Sequence, residues 1–152
     1  MTLDDGDDAP AVEAHNQHGE TVAPDFEDPT VLYFYPRDDT PGCTVEAKQF
    51  NQELASYRDA DVAVYGVSTD DVDSHEAFAD KYDLGFDLLA DPDGEIAAAF
   101  DVDVDEGYTA RTTFVLADGE VATAYEGVDP DGHAREVLGE LLDEGLASLD
   151  PQ

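Results

Sequence analysis

The chain has 152 residues, of which 39 are acidic and six are basic, so its formal net charge is −33 at pH 7. Such a surface repels a phosphate backbone and excludes nucleic acid as a partner, while a hydrophobic content of 41% argues against a disordered chain. The composition predicts a folded protein from an extreme halophile, whose molar salt screens this charge over about 3 Å.

The domain organisation follows from the distribution of apolar residues. No apolar run approaches the roughly 20 residues of a membrane helix, and the N-terminus lacks the basic and apolar segments of a signal peptide. We therefore expect a cytoplasmic protein with no membrane contact. A single domain is expected over residues 10–147, between a disordered acidic N-terminus, residues 1–9, and a tail, residues 148–152.

The first half of the domain begins with a short hairpin, predicted by weak alternation over residues 10–24. A continuous apolar run at residues 31–35 predicts a strand buried on both faces, and Pro36 ends it because proline donates no backbone hydrogen bond. A helix is predicted from Pro41 onward, because apolar residues then recur every three or four positions. The predicted buried face of this helix carries Ala47, Phe50, Leu54 and Tyr57.

The second half continues the alternation of strands and helices. The predicted elements are strand 62–67, helix 72–82, strand 86–90, short helix 95–100, strands 111–117 and 121–125, and helix 133–146. Asp118-Gly119, between the last two strands, is typical of a tight hairpin turn. This order predicts a three-layer α/β fold of the thioredoxin-like kind, in which helices flank a central mixed sheet.

The single cysteine, Cys43, lies where the first buried strand gives way to a helix. Ligands of open α/β sheets gather beyond the carboxyl ends of the strands, and a helix N-terminus favours the ionised form of a thiol. The alternative is a small buried hydrophobic residue. Thr40 is interpreted either as a helix cap or as a hydroxyl aimed at what the thiolate attacks. Arg111 is either a surface residue or a partner of the thiolate.

Four of these residues carry a resemblance to a known family. Pro36, Thr40, Cys43 and Glu46 fit the signature Pro-x-x-x-Thr-x-x-Cys-x-x-Glu of the peroxiredoxins. The surrounding sequence and the strand that begins at Arg111 resemble the bacterioferritin-comigratory-protein branch, also called thiol peroxidase Q. The resemblance implies an antioxidant enzyme that reduces hydrogen peroxide and small organic hydroperoxides on a thioredoxin-like fold, with no metal or organic cofactor.

The resemblance also implies a role for each of these residues. Cys43 would attack the peroxide as a thiolate and become a sulfenic acid. Thr40 would hydrogen-bond the peroxide, and Arg111 would hold the thiolate and the developing charge. Pro36 would shield the pocket from water, and Glu46 would orient the arginine.

One departure from the branch affects the catalytic cycle. Many members carry a resolving cysteine five residues after the peroxidatic one, and here Lys48 occupies that position. A 1-Cys enzyme is therefore expected, resolved by thioredoxin, by a low-molecular-weight thiol or by Cys43 of a second copy. A monomer or a weak homodimer is expected, because the charge opposes association.

The four histidines, His15, His18, His75 and His133, show no spacing of converging metal ligands, so no metal site is expected. Two other functions remain as alternatives. In a redox sensor, oxidation of Cys43 would control partner binding, and sustained turnover with a thiol donor would distinguish the enzyme from it. A binding or chaperone module would have no need of the set Thr40, Cys43 and Arg111.

Overall fold

The computed structural model describes residues 6–24, 26–27, 29–38, 40–105, 108–126 and 132–143. The strands are β1 (Ala14–His15), β2 (Thr21–Val22), β3 (Thr30–Phe34), β4 (Ala63–Ser68), β5 (Asp87–Ala90), β6 (Val104–Asp105), β7 (Tyr108–Thr109), β8 (Thr112–Ala117) and β9 (Glu120–Glu126). The helices are α1 (Pro41–Gln52), α2 (Leu54–Asp59), α3 (Val72–Tyr82), α4 (Glu95–Ala99) and α5 (His133–Asp143).

Five strands form the central sheet, in the order β5-β4-β3-β8-β9. Strand β3 pairs in parallel with β4 and antiparallel with β8. Strands β4 and β5 are parallel, and β8 and β9 are antiparallel. The predicted mixed sheet is confirmed, and its central strand is the one that leads to Cys43.

Helices cover both faces of the sheet, which confirms the three-layer architecture. Val31 and Tyr33 of β3 belong to one core, shared with α1, α2, α3 and α5. Leu32 and Phe34 belong to the second core, shared with α4. Because both faces are covered, all five residues of β3 are buried, as its continuous apolar sequence predicts.

The helix predicted from Pro41 is present, but it is divided in two. A turn residue, Glu53, with φ −90° and ψ 0°, separates α1 from α2. The four residues predicted for its inner face, Ala47, Phe50, Leu54 and Tyr57, are all buried. The periodicity therefore identifies the buried face correctly across the interruption.

Two predicted hairpins are confirmed, and a third one was not predicted. Strands β1 and β2 form the N-terminal hairpin. Asp118 and Gly119 adopt φ angles of 54° and 74°, as a type I′ turn requires. The unpredicted hairpin pairs β6 with β7. Each of its strands has two residues, too few to produce a recognisable alternation.

Backbone hydrogen bonds join the described part of the acidic N-terminus to β9. The N–H of Gly6 donates to Val121 O at 2.8 Å, and that of Ala9 donates to Gly119 O at 2.9 Å. Residues 6–9 therefore lie along the edge of β9, and the disorder expected of residues 1–9 stays a prediction. Residues 1–5 and 144–152, which include the end of the predicted last helix and the tail, lie outside the described residues.

Of the helices described, none has the length and apolar character that crossing a bilayer requires.

Candidate active site

Cys43 is the third residue of α1, and Thr40 occupies the N-cap position of that helix. The parent strand, β3, ends at Phe34, so six loop positions separate the strand from the helix. The cysteine is not part of a disulfide and is only 1% exposed. The thiol therefore lies at the junction between a strand and a helix, as the sequence predicts.

Arg111 joins the cysteine to a buried carboxylate. Its Nη2 donates to the Sγ atom of Cys43 at 3.4 Å, and its Nη1 donates to Oε1 of Glu46 at 2.6 Å. Arg111 comes immediately before β8, and the pairing of Phe34 with Thr112 brings that end of β8 beside the cysteine loop. One guanidinium thus joins the start of β8 to two side chains of α1, the thiol and the carboxylate.

Burial determines the electrostatics of this pair. Burial raises the pKa of Glu46 to about 7, although the Arg111 guanidinium opposes the rise. Burial also tends to lower the pKa of Arg111, but Glu46 and Cys43 outweigh it and hold that pKa above its usual value. Arg111 therefore stays cationic while it contacts the sulfur.

Thr40 is a cap by position but not by hydrogen bonding. Its side chain makes no capping hydrogen bond, and its Oγ1 donates instead to the carbonyl oxygen of Arg37 at 2.9 Å. A hydroxyl has one proton and two lone pairs, so Thr40 keeps its lone pairs as acceptors. The geometry therefore does not support the interpretation of Thr40 as a side-chain cap.

Three of the five predicted site residues are in direct contact, namely Cys43, Arg111 and Glu46. Thr40 and Pro36 lie in the loop that leads into α1, where both are partly exposed. Lys48, at the position of a resolving cysteine, is exposed on α1, and its Nζ lies 5.8 Å from the centre of the Tyr82 ring.

The short β6–β7 hairpin holds the cysteine loop from one side. Thr109 donates its hydroxyl proton to the carbonyl oxygen of Tyr35 at 2.8 Å. Arg37 donates to the hydroxyl of Tyr108 at 3.2 Å and lies over its ring. The hairpin that the sequence analysis missed is therefore part of the support of the site.

His133 is also near the site, at the start of α5. Its Nε2 lies 2.9 Å from the hydroxyl of Thr113, and its ring packs edge-on against Phe50 and Tyr125. Burial lowers its pKa, so its imidazole is neutral at neutral pH and adds no positive charge to that of Arg111.

The structure also gathers polar groups that the sequence analysis did not connect. One potential ligand atom each from Asp38, Asp70 and His75 lies within 4.8 Å of the others. Protein donors already face these oxygens, since Ser68 and the Asp38 N–H donate to Asp70 and Ser74 donates to Asp38. A cation is repelled where N–H and O–H groups point, so this cluster is a hydrogen-bond network rather than a built metal site.

The geometry defines what this site can do chemically. The helix N-terminus and a guanidinium both stabilise negative charge on the sulfur. The same guanidinium can stabilise negative charge that develops on the leaving atom of a bond that the sulfur attacks. Such a site favours nucleophilic attack by the thiolate on a polarised bond.

Comparison with known families agrees with this chemistry. The sequence profile of the AhpC/TSA family matches residues 6–132. Among curated relatives, Peroxiredoxin Bcp of Bacillus subtilis is 37% identical, over 94% of this chain and 98% of its own length. Peroxiredoxin Bcp of Xanthomonas campestris is 40% identical over 73% of this chain and 74% of its own length.

Solved structures give the same result. Peroxidoxin BcpB from Mycobacterium tuberculosis aligns with a TM-score of 0.86 and 32% identity, over 93% of this chain and 97% of that one. The bacterioferritin comigratory protein of Xanthomonas campestris, from a structural study of its alkyl peroxide reduction activity, aligns with a TM-score of 0.83 and 33% identity. That alignment covers 88% of this chain and 91% of that one.

Proposed function

The chain belongs to the AhpC/TSA family and is a peroxiredoxin, a thiol-dependent peroxidase, and on that premise we propose that Cys43 is the residue that attacks the peroxide. The observation that carries this assignment is the 3.4 Å contact between Arg111 Nη2 and Cys43 Sγ at the N-terminus of α1. It gives the one thiol of the chain a cationic partner.

In the first step the thiolate of Cys43 attacks one oxygen of the peroxide. The S–O bond forms as the O–O bond breaks, so the sulfur loses two electrons and the peroxide gains them. The second oxygen leaves as an alkoxide or hydroxide and takes a proton to become an alcohol or water. The product on the enzyme is a sulfenic acid.

The neighbouring residues orient this reaction. Thr40 accepts a hydrogen bond from the O–H of the peroxide, because its own proton is engaged with Arg37 O. Arg111 stabilises the negative charge on the leaving oxygen, and Glu46 fixes Arg111 through the 2.6 Å ion pair. Pro36 limits the access of water to the pocket.

An external thiol then resolves the sulfenic acid, since the chain has no second cysteine. The thiol displaces water from Cys43–SOH and forms a mixed disulfide. A second thiol attacks the external sulfur of that disulfide, so a disulfide forms between the two external thiols and the Cys43 thiol is released. Because Cys43 is only 1% exposed, a thiol larger than a peroxide reaches it only after the first turn of α1 has opened. Thioredoxin or a low-molecular-weight thiol fits this role.

Stopped-flow measurement of peroxide consumption tests the assignment. The wild-type protein is expected to consume one equivalent of hydrogen peroxide rapidly without a thiol and many equivalents with dithiothreitol. Cys43→Ser is the matched variant, since it exchanges one atom, and it should lose both activities. Equal rates in the two proteins would remove Cys43 from the mechanism. A single oxidation event without turnover would favour a redox sensor instead.

A further inference from the structure

A buried acidic residue, Asp38, lies in the middle of the loop that connects β3 to α1. Its side chain is only 3% exposed. Asp38 is one of 39 acidic residues in the chain, and an acidic side chain is ordinarily exposed to solvent. Burying a carboxylate is unfavourable unless hydrogen bonds replace its water. The burial of Asp38, which lies between Pro36 and Thr40, therefore depends on the hydrogen bonds that its carboxylate receives.

Several elements converge on this one carboxylate. The hydroxyl of Tyr35 donates to Oδ1 at 2.6 Å, and the hydroxyl of Ser74 donates to Oδ2 at 2.8 Å. Nδ1 of His75 lies 2.7 Å from the same Oδ2. The backbone N–H of Asp38 donates to Asp70 Oδ2 at 2.7 Å. The loop is therefore tied to the end of β3, to the segment after β4 and to the first turn of α3.

The histidine of this network is completely buried, with a relative exposure of 0%. Its Nε2 lies 3.1 Å from the carbonyl oxygen of Leu89, which can only accept, so Nε2 carries a proton. Its other ring nitrogen, Nδ1, faces Asp38 Oδ2 at 2.7 Å. His75 thus bridges β5 and the cysteine loop with hydrogen bonds at both ring nitrogens.

In the proposed function, Pro36 and Thr40 at the two ends of the loop lie beside the peroxide. Thr40 comes two residues after Asp38. Its hydroxyl donates to the carbonyl oxygen of Arg37, and Arg37 directly precedes Asp38. A shift of Asp38 would move Arg37 O and with it the hydroxyl of Thr40. Tyr35, which donates to Asp38, directly precedes Pro36.

We propose that Asp38 and His75 are positioning residues of the peroxide reaction, which hold residues 36–38 and Thr40 so that Thr40 and Pro36 face the thiolate correctly. This inference rests on the proposed function, because it concerns the reaction of Cys43 with peroxide. Neither residue touches the reacting atoms. Their effect is on the placement of the peroxide and not on the thiolate, whose cationic partner, Arg111, belongs to a different segment.

Two rate constants of the same thiol separate positioning from other effects. The first is the second-order rate constant for hydrogen peroxide, which needs an oriented substrate. The second is the rate constant for alkylation by iodoacetamide, which needs a thiolate that opening of the first turn of α1 exposes but needs no oriented peroxide. For Asp38→Ala we expect the peroxide rate constant to fall by about 100-fold, the typical effect of a displacement of about 1 Å, with alkylation slowed at most about twofold.

Asp38→Asn is the conservative variant that tests the geometry. An asparagine can still accept from Tyr35 and can donate to a neutral His75 at Nδ1, so it should recover most of the rate that Asp38→Ala loses. Tyr35→Phe removes a single hydroxyl and keeps its ring in the core, so it remains informative if Asp38→Ala does not fold. For Tyr35→Phe we expect a smaller fall in the peroxide rate constant than for Asp38→Ala, again with little change in the alkylation rate constant.

Asp91→Ala is the matched control, because Asp91 is also buried and accepts hydrogen bonds from Ile96 N and Ala97 N at the start of α4, outside the loop. It should lower thermal stability and leave the peroxide rate constant unchanged. Equal losses of peroxide reaction and alkylation in Tyr35→Phe and Asp38→Ala, or wild-type peroxide rates in both, would overturn the inference. So would a similar loss in Asp91→Ala. Cys43→Ser, measured in parallel, separates this outcome from a failure of the proposed function, since it alone reports whether Cys43 reacts.

Discussion

Glu46 offers a quantitative test of the electrostatics at the site. Its carboxylate is fully buried, and burial raises its pKa from 4.5 to about 7. Between these values the folded protein holds a proton that the unfolded chain has released, so stability falls as the pH rises. At about 1.4 kcal/mol per pKa unit, the whole shift corresponds to about 3 kcal/mol. Glu46→Gln resembles the protonated carboxyl and removes this dependence.

The assay is urea unfolding of both proteins from pH 4.5 to 8 in multimolar KCl. All other acidic residues are common to both proteins and cancel in the difference. Relative to wild type, Glu46→Gln should gain up to about 3 kcal/mol across this range, mostly below pH 7. Glu76→Gln, at an exposed position of α3, shows the effect of removing one surface charge. Parallel stability curves, or a relative loss for Glu46→Gln as the pH rises, would refute the reasoning.

Three further predictions concern the reaction and the charge. Arg111→Met should lower the rate constant for peroxide by about 100- to 1,000-fold in stopped flow, since one preorganised donor is lost. Arg111→Lys should keep only part of the wild-type rate constant, because an ammonium lacks the forked geometry of the guanidinium. Thr40→Val should lower that constant by about tenfold or more, whereas Thr40→Ser keeps the hydroxyl and most of the rate. The melting temperature should rise markedly from low to multimolar KCl, and a melting temperature independent of salt would contradict the halophilic interpretation.

Local sequence was sufficient to predict the strand-to-helix junction. A continuous apolar run identifies β3, and Pro36 and Pro41 mark the loop on either side, so the position of Cys43 follows from neighbouring residues. Arg111 is different, because it lies 68 positions from the cysteine that it contacts. Periodicity and composition could not select it, and the resemblance to the peroxiredoxins was the signal that did.

The supports of the loop could not be predicted in the same way. Asp38 is one acid among 39, and it meets His75 across 37 positions only because the sheet and α3 are assembled. The β6–β7 hairpin is too short to leave a pattern. Residues 6–9 have the composition of a disordered segment, yet a free sheet edge gives their backbone a partner. In each case the tertiary structure supplies a contact that local propensity does not encode.

We propose that Cys43 alone begins the catalytic cycle and that an external thiol completes it. Intact-protein mass spectrometry after one equivalent of hydrogen peroxide, without added thiol, tests this most directly. The account predicts a gain of one oxygen atom, located on Cys43 by reaction with dimedone, and conversion to a mixed disulfide when a small thiol is added. An unmodified Cys43 after complete consumption of the peroxide would contradict it.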